Sequence, residues 1–268
     1  MAYQTAPNAS FAIHAGDLVN RAHRDHEWAQ WFKAGGFIHS QWTAIPAVGN
    51  HEFSAVNGGS RRVSIQWRPQ FTLPVEKSLD PELHETVYSV DYQDVRIIVL
   101  NSNDNLEQQT KYLEAQLKNC MAKWKIVTCH HSVFSPAKGR NFQFARDHWK
   151  PLLDKYNVDL VLNGHDHTYA RGHVPVRTSD KVGTSELRTV YVTSVSGPKQ
   201  YGLDRKQMQT YKADGYWPDK TAEQTQFFQV ITIKDNILSY VAYTAVGDEY
   251  DRATIIKDFT SGKKFLKD

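Results

Sequence analysis

A layered α/β fold is what this chain predicts, and three observations carry the prediction. Short apolar runs alternate with helix-length segments through the middle of the sequence, a β-rich stretch follows from Leu187 onward, and loops of Gly, Asn, Pro and charge separate them without repeats. The 268 residues, 40% hydrophobic and 12% aromatic, can bury a sizeable core, which excludes disordered, collagen-like and coiled-coil architectures. One domain over 1–268 is the economical reading.

The elements follow in order. Phe11 to Ala15 reads as a strand, and His26 to Ile38, with Trp28, Trp31, Phe32 and Ile38 apolar, as an amphipathic helix. Thr43 to Val48 is a second strand. Beyond a long irregular stretch from Phe53 to Glu85, Thr86 to Val90 and Val95 to Leu100 read as paired strands around Asp91-Tyr92-Gln93-Asp94. Leu106 to Met121 is a helix with Tyr112, Leu113 and Leu117 on one face. Lys125 to Cys129 is a strand, Phe144 to Tyr156 a helix and Val158 to Leu162 a strand. From Leu187 onward, Val190 to Thr193, Phe227 to Ile233, Ile237 to Tyr243 and Ala253 to Ile256, with Asp235-Asn236 as a hairpin turn, predict a second, more antiparallel sheet.

Charge and composition exclude several classes of function. The formal charge of +3 is too even for a protein that neutralises nucleic-acid phosphates, and no polybasic run marks a membrane surface. Apolar stretches such as Ile97 to Leu100 are strand-sized, far short of the roughly 20 residues of a membrane span. Cys120 and Cys129 have neither zinc-ribbon nor CxxC spacing and read as small apolar thiols. The N-terminus shows no charged region followed by an apolar one, so it predicts no secretory signal.

Four strands end in Gly or Cys followed by a metal-capable side chain: Gly16-Asp17, Gly49-Asn50-His51-Glu52, Cys129-His130-His131 and Gly164-His165-Asp166-His167. In a strand-helix alternation such residues project from the carboxyl edge of the sheet, where open α/β proteins build their sites. Asp17 offers an anionic oxygen able to bridge two cations, Asn50 a neutral carbonyl, and His130 and His165 borderline nitrogens, a set that suits Zn, Mn or Fe. Glycine before three of the four lets the backbone turn sharply and is expected to leave space beside a cation for substrate.

These four blocks resemble those of the calcineurin-like metallophosphoesterases, and within them the purple acid phosphatase branch. The resemblance implies a four-layer α/β sandwich of two mixed β-sheets flanked by helices. It implies that Asp17 bridges two metals, that Asn50, His130 and His165 complete one site, and that His167 serves the other. His51 would hydrogen-bond the phosphate and protonate the leaving oxygen, Glu52 would orient His51, and His131 would contact phosphate or stand behind the ligands. A secreted or periplasmic parent protein is implied too.

Two departures from the family pattern stand out. Its opening strand carries an Asp well upstream of the Gly-Asp block, whereas 16 residues precede Asp17 here and none is Asp, Glu or Cys. The chain is therefore expected to be N-terminally truncated, to lack its first strand, and to hold at most one metal tightly where the full protein holds two. Asn20 stands where the purple enzymes have the tyrosine that gives the colour. The activity implied is hydrolysis of a small phosphate ester, a monoester first, by attack of a hydroxide of lowered pKa. A phosphodiesterase or nucleotide hydrolase is one alternative, and a metal-deficient module that binds phosphate or a partner without turnover is another. His14, His23, His26, His39, His84, His148 and His173 read as core or solvated histidines. Arg61-Arg62 reads as solvated near the cleft mouth, and Tyr169 and Arg171 as either substrate contacts or an ion pair.

Overall fold

The computed structural model describes residues 1–55, 59–176 and 186–267. Its centre is a seven-stranded mixed sheet. In chain order the strands that matter are β1 (Phe11–His14), β2 (Thr43–Pro46), β3 (Tyr88–Tyr92), β4 (Val95–Val99), β5 (Trp124–Thr128), β6 (Leu160–Asn163), β7 (Tyr169–Pro175), β8 (Leu187–Thr193), β9 (Trp217–Ala222), β10 (Phe227–Lys234), β11 (Ile237–Thr244), β12 (Glu249–Lys257) and β13 (Lys264–Lys267). The large sheet runs β9-β7-β8-β6-β5-β4-β3, with β4, β5, β6 and β8 mutually parallel and the outer strands antiparallel. A four-stranded antiparallel meander, β10 to β13, and the parallel pair β1-β2 complete the frame.

Strand alternation divides the core in two. Ile97, Val99, Ile126, Leu160, Val190 and Val192 face the meander, meeting Phe227, Leu238, Tyr240 and Ile255, and Ile45 of β2 joins the same cluster. Ile98, Val127, Val161 and Tyr191 face the other way, onto helices α2 (Leu106–Lys118) and α3 (Lys150–Lys155), where Leu113, Leu117 and Leu153 are buried. Strands buried on both faces explain the near-continuous apolar runs of β4 and β5. Helix α1 (Asp25–Gly35) sends Trp28 into a third cluster with Trp67, Phe71 and Val48, against which Trp31 and Phe32 pack. Helices, two sheet layers and helices thus stack as the four-layer sandwich, and no helix among the described residues is long and apolar enough to cross a membrane.

Three expectations need correction. Leu187–Thr193 is a parallel strand of the large sheet rather than part of the second one, because its alternate residues feed both cores. The helix expected over 144–156 opens with a π turn at Ala145–Trp149, just before Pro151, whose missing N–H breaks the regular ladder. Tyr169–Pro175 escaped the pattern because polar residues are buried in it. Arg171 pairs with Asp251 (2.8 Å) and Asp219 (3.1 Å), and His173 sits 2.9 Å from Asp219. Tyr169 donates to Asp251 at 2.6 Å, so Tyr169 and Arg171 build the core, and His173, read as solvated, is buried.

A second buried charge cluster joins the sheets. Asp159, fully buried, faces Lys257 Nζ at 2.9 Å and Lys264 Nζ at 3.2 Å, and Lys264 also donates to the Val158 carbonyl at 2.7 Å. Burial, offset in part by Asp159, lowers the Lys264 amine to about 8. Between that value and the ordinary 10.5 the unfolded chain holds the extra proton, so this group's contribution to stability rises with pH in that window. The difference in unfolding free energy between wild type and Lys264→Met should therefore grow in favour of wild type from pH 8 to pH 10. Urea titrations across that range test it, and a flat or falling difference would count against the assignment.

Candidate metal centre

Four loops leave the carboxyl ends of β1, β2, β5 and β6 and meet at one point. The parallel pairing of β1 with β2 and of β5 with β6 is what brings those ends to a common edge. Ligand-capable atoms of Asp17, His130 and His165 all lie within 4.8 Å of one another. His130 Nε2 stands 3.1 Å from Asp17 Oδ2, 3.2 Å from Asn50 Oδ1 and 3.1 Å from His165 Nδ1.

The backbone is strained where these side chains leave it. Asp17, His165 and His167 adopt φ of 56°, 65° and 51°, a left-handed region that non-glycine residues rarely occupy and that clusters at functional sites. Gly16, at φ 85°, makes the sharp turn expected, but the glycines do not leave the expected space beside a cation. A Cβ on Gly49 would lie 2.2 Å from Asp17 Oδ1, and one on Gly16 would lie 2.7 Å from His130 Nδ1. The space left by the missing side chains is thus filled by neighbouring loops, which can approach closely enough for the four donors to converge.

Tautomers follow from acceptor-only partners. His130 Nδ1 donates to the Ala15 carbonyl at 2.7 Å, so the Nε2 lone pair of the neutral ring faces Asp17, Asn50 and His165. Burial lowers the His130 pKa, but the facing Asp17 carboxylate outweighs it and the net shift is upward. Burial pushes Asp17 up, but His130 and the His51 amide more than offset it and hold the carboxyl at about 2. His165 is driven down to about 2 by burial and then by His131, His130 and Arg140. A carboxylate oxygen, an amide oxygen and two imidazole nitrogens therefore crowd one point, with separations near the roughly 3.4 Å edge of a tetrahedron of ligands around a zinc-sized ion. The donor set fits a transition-metal cation, toward which the Asp17 carboxylate and the His130 Nε2 lone pair would both be directed.

The other expected residues lie around this cluster. His131 contacts Ser102 Oγ at 2.8 Å, its ring 4.1 Å from that of His165, and burial lowers it to about 3. His167 stands apart from the three-residue cluster, donating Nδ1–H to the Lys199 carbonyl at 2.8 Å beside the Tyr201 ring. His51 donates Nδ1–H to the Asn20 carbonyl at 2.6 Å, which leaves Nε2 toward the centre, 3.9 Å from Asp17 Oδ2.

Glu52 does not orient His51. Fully buried, its carboxylate accepts the amides of Gly49 (2.7 Å), Asp17 (2.8 Å), Leu18 (2.9 Å) and Val19 (3.4 Å), tying the first metal-capable loop to the second. Burial pushes its carboxyl up to about 7 against the pull of those donors. Glu52→Gln would set an NH₂ group against N–H donors whichever way the amide turned. It should cost about 1–3 kcal/mol and lower metal occupancy. Thermal melts with metal analysis check this, and unchanged occupancy would contradict it.

Sequence reading missed Arg140 and Tyr201. Arg140 lies on a loop after β5, donating to His165 Nε2 at 2.6 Å and to Tyr201 Oη at 3.1 Å. Nothing in its local sequence marks it, because the contact arises from loops 25 positions apart.

Comparisons with known proteins bear on the same region. A family model described as calcineurin-like phosphoesterase matches residues 2–169, which include all four metal-capable blocks. Uncharacterized protein MT2654 of Mycobacterium tuberculosis is 32% identical over 190 residues, covering 62% of this chain and 35% of that protein. Purple acid phosphatase 4 of Arabidopsis thaliana is 29% identical over 142 residues, covering 51% of this chain and 35% of the relative. The chain thus spans about a third of the length of these curated relatives. Among solved structures, a purple acid phosphatase from yellow lupin seeds superposes with a TM-score of 0.73 at 21% identity, over 96% of this chain and 48% of that one.

Proposed function

The chain belongs to the calcineurin-like phosphoesterase family, and we propose that it is a metal-dependent phosphoric ester hydrolase acting first on phosphomonoesters, with the whole described chain serving as one catalytic domain. The observation that carries this reading is the convergence of Asp17, Asn50, His130 and His165 at one sheet edge, with His51 Nε2 facing the same point. Those four side chains would hold a cation of the Zn, Mn or Fe type, while His167 and Asp17 alone offer a second cation too few ligands for tight binding. A bound cation supplies neutralisation of phosphoryl charge and a lowered pKa for attacking water.

The residues of the chain divide the remaining work. His51, its Nδ1–H fixed by the Asn20 carbonyl, presents Nε2 as the atom that carries a proton to the leaving oxygen. Arg140 has a role coupled to His165. It donates to His165 Nε2 at 2.6 Å, which fixes the ring and leaves Nδ1 toward the centre. The Arg140 guanidinium, steadied by Tyr201, would be placed to hold a phosphate oxygen beside the centre. Glu52 locks the two loops that bear Asp17 and Asn50, and His131 buttresses His165.

Metal analysis after loading with Zn, Mn or Fe, followed by turnover of a chromogenic monoester and a chromogenic diester, tests the reading. The expected result is metal-dependent hydrolysis with the monoester preferred. A diester preference would reassign the substrate class, and bound metal without hydrolysis of either ester would sink the proposal.

A further inference from the structure

Beside His51 lies a cavity of about 670 Å³ whose lining includes Asn20, Arg21, His23, His51, Phe53 and Arg61. Arg61 donates to the Phe53 carbonyl at 2.8 Å and to that of Asn50, so its guanidinium is held at the wall by main chain alone. Among the described residues neither the Arg21 nor the Arg61 side chain forms an ion pair with a carboxylate, although the Arg21 main-chain amide donates to Glu27 Oε2 at 2.7 Å. Two arginines, neither ion-paired among the described residues, therefore line one concave space beside an imidazole placed to act on a leaving group. Phe53 adds an apolar surface for the carbon skeleton between two charged ends.

A phosphoryl group at the metal centre places its leaving group on the His51 side, since His51 is the group that would protonate it. We propose that this cavity is a subsite for a second anionic group, phosphate or carboxylate, carried by the leaving-group portion of the substrate. The inference rests on the hydrolase reading for the position of the phosphoryl group. It names the substrate class as phosphate esters with a second anionic function, and makes Arg21 and Arg61 residues that set specificity. Guanidinium forks suit both anions because each offers paired oxygens to parallel N–H donors.

The test is binding. Calorimetric titration of the metal-loaded protein would compare alkylphosphonates with ω-phosphonocarboxylates of matched chain length, over a series of lengths. At one length or more the phosphonocarboxylate should bind about tenfold more tightly or better, as expected for one charge-assisted contact. That preference should shrink with added salt and fall to within about threefold in Arg21→Gln, a substitution at an exposed position. Equal binding of every matched pair, or a preference unchanged in Arg21→Gln, would overturn the subsite. Hydrolysis of p-nitrophenyl phosphate without any such preference removes the subsite and leaves the hydrolase reading. The preference without hydrolysis of any ester does the reverse.

Discussion

His51→Ala in the metal-loaded protein should lower kcat for a phosphomonoester by about 10²–10⁴-fold while metal content stays the same. The expectation rests on geometry. The imidazole is half-buried, its Nδ1–H is committed to Asn20, and Nε2 points to the centre without being one of the three clustered ligand atoms. Truncation removes a proton donor but neither a ligand nor a core contact, so the melting temperature should barely move. The loss should be smaller for esters whose leaving groups are stable as anions, because these need less protonation. Unchanged turnover with an alkyl phosphate would exclude the role, and loss of metal together with activity would reassign His51 to the ligand set.

Asp159→Asn should be the most damaging substitution away from the centre, costing about 3–5 kcal/mol. Asp159 is fully buried between the ammonium groups of Lys257 and Lys264 and also accepts the Lys125 amide at 2.7 Å. The asparagine keeps the shape but removes the single negative charge facing two buried positive ones. A fall in melting temperature on the order of 10 °C follows for a chain of this size. Replacing Lys257 and Lys264 by methionine in the same background should recover part of the loss, because it removes the charges left unpaired. A melting temperature within a degree or two of wild type in Asp159→Asn would show that water reaches the site.

The elements that sequence reading placed well are those with a clean period. The runs of β4, β5, β10 and β11, and the apolar face of Tyr112, Leu113 and Leu117, sit where alternation or helical spacing put them. The runs it missed are those where polar residues are buried. β7 carries Arg171 and His173 into the interior because Asp219 and Asp251, some 46 to 80 positions away, neutralise them there. Windowed periodicity cannot register a partner at that distance.

By itself the sequence determined the four metal-capable blocks, the glycines that permit tight turns beside three of them, and the strand ends from which they emerge, because each is a local pattern of residue type and spacing. Only the tertiary structure decided what those groups do to one another. It turned Glu52 from a partner of His51 into an acceptor of four amides, set His167 apart from the cluster, and brought Arg140 onto His165 and Arg21 and Arg61 around one cavity. The physical reason is that a hydrogen bond or ion pair acts over about 3 Å, and which groups come that close is set by the pairing of strands far apart in the chain.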